Sequence, residues 1–350
     1  MFSVKKKMPV TLLGATGLVG QHFVSLLADH PWFELVALCA IDARVGQFYG
    51  EAVDWQMKTP LPQSISAIKL SKLDSDHPSS LVFSALPSNI AYSIELKLAS
   101  MEKAVISNAS AHRWSEHVPN VVAEVNSAHL AMIKKQNFGK GFIVTNPNCT
   151  VSGLSIALKP LHQVFTITQA VVVTMQAISG AGKHPTLKQE IEDNLIPFIA
   201  DEERKIEKET TRLLGQWNGK EMIDAAICLS AHCHRVAVSD GHSAAVSLSF
   251  KHKPTLSQIR ELWQEYPSEI KDQNLPSAPK RLIIYQEEEN RPQPKLDRLN
   301  EKGMGVSIGR LRECHVHDYK FNLLVHNNIR GSAGSALLNA EYLLKKGYFL

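Results

Sequence analysis

Between residues 9 and 28 the chain reads as a buried strand, a glycine turn and a helix in immediate succession, an order few folds accommodate. Pro9-Val10-Thr11-Leu12-Leu13 is the strand, Gly14-Ala15-Thr16-Gly17-Leu18-Val19-Gly20 the turn, and Gln21 to Ala28 has helical periodicity. Glycines let the backbone approach a pyrophosphate, and a helix N-terminus offers it free N–H donors. The bare G-x-x-G-x-x-G pattern also fits a merely tight turn. Its place between strand and helix favours a dinucleotide and makes Gly14, Thr16, Gly17, Leu18, Val19 and Gly20 the candidate contacts.

The alternation continues. Glu34 to Cys39, Leu81 to Pro87, Ala104 to Ser107 and Gly141 to Thr145 read as strands, with a helix from Asn89 to Ser100. This predicts an α/β, doubly wound, Rossmann-type parallel sheet over residues 1–148. The second strand ends near Asp42 and Arg44, where a carboxylate would hold a ribose diol and a guanidinium a 2′-phosphate. The two residues point to different cofactors, NAD and NADP.

At 350 residues the chain is long for one core and suits two domains. An apolar fraction of 44% and a charged fraction of 21% are those of a soluble globular protein, and no apolar run is long enough to span a membrane. The net charge of +4 is spread along the chain, which argues against nucleic acid but suits a phosphorylated substrate. Five cysteines, an odd number without short even spacing, suggest neither a disulfide framework nor a zinc ribbon. The basic N-terminus leads into a strand rather than a signal-peptide core, so a cytoplasmic location is expected.

Asn146-Pro147-Asn148-Cys149-Thr150 places a cysteine at the mouth of an apolar helical run, Val151 to Leu161. A thiol at a helix N-terminus feels the positive end of the dipole, which favours thiolate and makes a nucleophile near neutral pH. The competing reading is a small buried hydrophobe after a turn.

The second half, residues 149–329, reads as an α+β domain. Gln169 to Ala177, Ala225 to Leu229 and Ala244 to Phe250 are β-branched and alternating, which predicts a mixed, largely antiparallel sheet with helices on one side. Residues 330–350 hold a last helical pattern, Ser332 to Lys346, that can pack back on the first domain. Ser179-Gly180-Ala181-Gly182-Lys183-His184 imitates a phosphate loop but lacks the early glycine and the final Ser/Thr. His232, Cys233 and His234, and Cys314, His315 and His317, read as ordinary strand residues rather than metal ligands. The run Asp201-Glu202-Glu203 to Glu209 reads as a solvated helix face.

Taken together, the glycine turn, Ser107 to Arg113, Glu124-Val125-Asn126, Asn146 to Cys149, Ser179 to Gly182, Arg235 to His242 and Asn327 to Gly334 resemble aspartate-semialdehyde dehydrogenases of the archaeal and fungal branch. The order and spacing of these motifs carry the resemblance over nearly the whole chain. It implies Cys149 as nucleophile, His242 as acid/base catalyst and Gln176 as the group that orients the reacting centre. It implies further that Arg235 grips the substrate carboxylate and Glu209 its ammonium, with Arg113, Asn148 and Arg212 near a phosphate subsite. Gly180 and Asn327 would lie near the nicotinamide. The cofactor it implies is NADP, with NAD open because Ile41 and Ala43 stand where the branch usually has serine and arginine.

The implied reaction is reductive dephosphorylation of L-4-aspartyl phosphate to the semialdehyde through a cysteine thioester, in lysine, threonine and methionine biosynthesis, by a homodimer or homotetramer. A soft nucleophile suits it, because a thioester accepts hydride more readily than an ester or amide. The alternative is a malonyl-CoA reductase or another acyl-thioester-forming reductase of the same fold, against which an ammonium-binding glutamate argues. A dinucleotide sensor without activity would not need Cys149, Gln176, Glu209, Arg235 and His242 together.

Overall fold

The structure, a computed structural model, describes residues 6–182, 186–266, 268 and 270–349, without the side chains of Asp42 and Lys271. Strand β1 (Met8–Leu13) passes through the glycine turn into helix α1 (Leu18–Leu27). With β2 (Phe33–Cys39), β3 (Leu81–Ser84), β4 (Ala104–Ser107) and β5 (Phe142–Thr145) it forms a five-stranded parallel sheet in the order β2-β1-β3-β4-β5. Helix α2 (Ser88–Ser100) follows β3. Strands covered on both faces must be apolar throughout, and every residue of β3, β4 and β5 is buried.

The order reverses between β1 and β3, so the loops after these strands diverge and leave a crevice at their carboxyl ends. Gly14 makes that crevice possible. It takes φ +74°, and a Cβ there would lie 2.6 Å from the Ala85 carbonyl oxygen.

The second sheet contains β6 (Ile167–Gln176), β7 (Cys228–Arg235), β8 (His242–Phe250), β9 (Ile283–Gln286), β10 (Val306–Glu313) and β11 (Tyr319–Val325). Its order is β9-β10-β11-β8-β6-β7, antiparallel through the centre and parallel at both margins. Burial alternates along β6 and β8, as a sheet covered on one side requires. Val172, Val246 and Leu248 point into a core shared with α3 (Cys149–Phe165), α4 (Glu202–Leu214) and α5 (Leu256–Gln264).

One strand departs from the sequence reading. Apolar character suggested Ala225 to Leu229, whereas β7 begins at Cys228 and runs to Arg235. Its alternation is carried by Ala231, Cys233 and Arg235 inward and polar Ser230, His232 and His234 outward, and parallel pairing with β6 fixes its register. At the C-terminus a π-helical turn, Ile329–Ala333, leads into α6 (Gly334–Lys345). Ala336, Leu337, Leu338 and Leu343 of that helix share a core with Val121, Phe142 and Val144. His30 Nε2 meets Glu341 there at 2.9 Å.

Candidate active site

A cavity of about 980 Å³ runs from the carboxyl ends of the first sheet to the amino end of α3. At one end its wall is Gly14, Thr16, Gly17, Leu18 and Val19, with Arg44 alongside. No side chain caps α1 and its first turn carries no acidic residue, so its N–H groups remain available to an anion. Gly20 is not on the wall. A Cβ there would fall 2.3 Å from the Gly14 carbonyl oxygen, so its role is to let helix and turn pack. Arg44 stands in a 3-10 turn, Asp42–Arg44, while the side chain of Asp42 lies outside the described residues.

The other end of the cavity is built around α3. Asn148 is its N-cap, accepting from the N–H groups of Thr150 (2.9 Å) and Val151 (3.4 Å) through Oδ1. That leaves Asn148 Nδ2 to donate to Glu202 Oε1 at 2.8 Å, and Gln176 Nε2 donates to the same oxygen at 2.8 Å. Cys149, Gln176, Arg235, Glu202 and Lys205 thereby share one wall.

The fold opposes the thiolate that the position of Cys149 at a helix end suggested. Burial pushes Cys149 up to about 12, and the neighbouring Glu202 carboxylate adds to the effect; Arg113, Arg235 and a backbone N–H pull the other way without overcoming it. Because the thiolate fraction then grows with every step in pH across the neutral range, alkylation of Cys149 in the free protein should rise about a hundredfold from pH 7 to pH 9. Stopped-flow iodoacetamide kinetics would show it; a plateau by pH 8 would mean that the helix end wins.

Two residues assigned from the family pattern lie elsewhere. Glu209 is fully buried off the cavity, where Oε1 accepts from Arg113 Nη1 at 2.9 Å and Oε2 from the Asn148 N–H at 2.6 Å. Its carboxylate is consumed by the protein. Arg212 pairs with Asp224 at 3.9 Å and lies over the Trp114 ring at 5.3 Å, also away from the cavity. The carboxylate and cation on the wall are instead Glu202 and Lys205, one turn apart at the start of α4. A signal for Glu202 exists in the sequence: with Ile206, Glu209 and Leu213 it follows the helical repeat of one buried face. Arg113 does reach the wall, held by Asn146 O (2.8 Å), Asn108 O (3.1 Å) and Glu209.

His242 is fully buried immediately behind Gly180, whose Cβ, if present, would fall 2.8 Å from Nε2 and 2.9 Å from Arg235 Nη1. Its Nδ1 accepts from the Ala177 N–H at 3.0 Å, so the neutral ring carries its hydrogen on Nε2, an atom with no partner among the described residues. Burial first, then Arg235 and His326, lowers its pKa to about 3 and keeps the ring neutral. Arg235 Nη1 donates to Ala177 O at 2.8 Å. Asn327, on the wall, accepts from the Gly241 N–H at 2.9 Å and donates to Ser179 Oγ at 2.9 Å. Lys183 and His184 of the loop that imitates a phosphate site lie outside the described residues. Among the described residues no group of three or more His, Cys, Asp or Glu side chains could hold a metal ion, and no helix is long and apolar enough to cross a membrane.

Comparison with known proteins bears on the same regions. Residues 9–133 match a family model for the NAD binding domain of semialdehyde dehydrogenases, and residues 158–330 match its dimerisation domain. The chain is 45% identical to the aspartate-semialdehyde dehydrogenase of Archaeoglobus fulgidus, over 96% of this chain and 98% of that one. It is 42% identical to the enzyme of that name from Schizosaccharomyces pombe, over 97% and 98% of the two chains. Among solved structures, aspartate-semialdehyde dehydrogenase with NADP from Candida albicans superposes with a TM-score of 0.89 at 36% identity, covering 97% of this chain and 99% of that one.

Proposed function

The chain belongs to the aspartate-semialdehyde dehydrogenase family, and from that premise we propose that Cys149 forms the acyl-enzyme of the family reaction with NADP as cofactor. The reaction is the conversion of L-4-aspartyl phosphate to L-aspartate 4-semialdehyde. The observation that carries the assignment of residues is the single wall shared by Cys149, Gln176, Arg235 and Glu202, continuous with the glycine turn.

Cys149 Sγ attacks the acyl carbon; the C–S bond forms, the bond to phosphate oxygen breaks, and inorganic phosphate leaves with the thiol proton. The dipole of α3 stabilises the developing oxyanion at its N-terminus, and Gln176, held by Glu202, orients the reacting centre beside it. The nicotinamide, when bound, supplies the hydride that reduces the thioester. As the hemithioacetal collapses, the C=O bond re-forms, the C–S bond breaks with its electron pair on sulfur, and a solvent proton returns to the thiolate; His242, neutral, donates a hydrogen bond from Nε2 to the departing group. Arg235 takes the substrate α-carboxylate, a task suited to a planar guanidinium. Glu202 replaces Glu209 as the group for the substrate ammonium, and Lys205 replaces Arg212, with Arg113, at the phosphate end. A malonyl donor has no ammonium for Glu202 to meet.

The test is an absorbance assay at the nicotinamide band. Semialdehyde, phosphate and NADP should give reduced cofactor, and omission of phosphate should abolish it. Turnover of malonyl-CoA in preference to the aspartyl substrate would replace this reading.

For the cofactor, the uncapped α1 and the Gly14 approach fit a pyrophosphate, and Arg44 beside them fits a 2′-phosphate. Arg44→Ala should weaken NADPH at least about tenfold in a fluorescence titration while changing NADH less than about twofold. Equal losses, or a wild-type preference for NADH, would return the assignment to NAD. A homodimer is expected through the second sheet, whose outer face offers half-buried Val171, Val173, Met175 and Ala245 between polar neighbours.

A further inference from the structure

The π-helical turn Ile329–Ala333 has no part in the chemistry described above, yet it lies against the residue that would carry it. A Cβ on Gly331 would fall 2.7 Å from Cys149 Cβ and 2.9 Å from both the Cys149 Cα and its carbonyl oxygen. The backbone of Gly331 is outside the left-handed region, so the conflict is one of space alone. No side chain fits between the turn and the first residue of α3.

The turn is fixed from behind and from the side. Gly331 N–H donates to His326 O at 2.9 Å and Ala333 N–H to Asn328 O at 3.1 Å, the five-residue spacing of a π turn. Arg330 is fully buried, donating Nε to Met304 O at 2.7 Å and Nη1 to Glu124 Oε1 at 2.6 Å. Glu124 is held in turn through its carbonyl, which accepts from Tyr266 Oη at 2.8 Å. On the other side Asn146 Nδ2 donates to Ser332 O at 3.0 Å, tying the turn to the chain three residues before Cys149. A buried ion pair contributes little net stability once desolvation is counted, but it fixes geometry when both partners are held.

We propose that Gly331, held in place by the Arg330–Glu124 pair, is a positioning residue that sets where Cys149 Sγ stands in the cavity. The inference rests on Cys149 being the nucleophile. Gly331 lines the same cavity, and the role assigned to it is steric: it forms the wall against which the cysteine backbone seats. A displacement of a reacting atom by about 1 Å can cost about a hundredfold in rate.

In Gly331→Ala the added methyl displaces Cys149 off the turn toward the cavity. Phosphate-dependent kcat should fall at least about tenfold with KM within about threefold, while iodoacetamide alkylates Cys149 at least about threefold faster. The two readouts move in opposite directions. Cys39 and Cys233, both buried, should stay unlabelled in peptide mass spectra, which separates repositioning from unfolding. Glu124→Gln combined with Arg330→Met, neutral and of similar volume, loosens the turn without stranding a charge and should shift both readouts the same way. It decides the matter if Gly331→Ala does not fold. Turnover or Cys149 alkylation within about twofold of wild type in the folded variants overturns the role. If wild type itself lacks phosphate-dependent turnover, the functional reading has failed, and the alkylation rates alone decide the geometry.

Discussion

Cys149→Ser should fold, bind NADPH and lose at least about a thousandfold in turnover, because a hydroxyl at that position is a far weaker nucleophile and forms an ester that accepts hydride poorly. The size of the loss follows from the absence of a substitute on the same wall: the other thiol in this core, Cys233, is buried on β7 and does not line the cavity. Circular dichroism and cofactor titration would establish that the variant is otherwise intact. Turnover near that of wild type would remove Cys149 from the mechanism and, with it, the thioester.

The second large effect separates two glutamates of one helix. Glu209→Ala leaves Arg113 charged and buried without its carboxylate and strands the Asn148 N–H, so the expected loss is about 3–5 kcal/mol of stability, read as a lower urea midpoint. Glu202→Gln removes a charge at the cavity wall while keeping an oxygen for Asn148 and Gln176. It should leave the unfolding free energy from urea titration within about 1 kcal/mol of wild type and raise the semialdehyde KM at least about tenfold. If instead Glu209→Gln raises KM and Glu202→Gln does not, the substrate ammonium is held by Glu209.

These two residues also show where sequence reading runs out. The first sheet is legible because its strands are covered on both faces, so continuous apolar runs such as Leu81-Val82-Phe83 cannot be mistaken for a half-exposed surface. The glycine turn is legible because Gly14 answers to a local demand, a positive φ beside another strand's loop. Glu202 is legible only as a member of the buried face it shares with Ile206 and Leu213; its place in the cavity is not, because a charged residue at a helix start is usually solvated, and only the packing of α4 beneath Asn148 and Gln176 takes this one out of water. The state of Cys149 fails for a related reason. The helix-end argument uses what is near in sequence, whereas burial and Glu202 arrive through the tertiary fold and outweigh it. Strand β7 was displaced because Ser230, His232 and His234 hide its alternation, which is set by its pairing with β6 rather than by its own apolar character.

On the proposed mechanism a thioester forms on Cys149 before any hydride moves. Rapid mixing of the protein with L-4-aspartyl phosphate in the absence of nicotinamide, followed by acid quench and peptide mass spectrometry, tests it most directly. One equivalent of phosphate should be released per active site, with an aspartyl adduct on the peptide that carries Cys149. Phosphate release that requires reduced cofactor, or an adduct on any other residue, would contradict it.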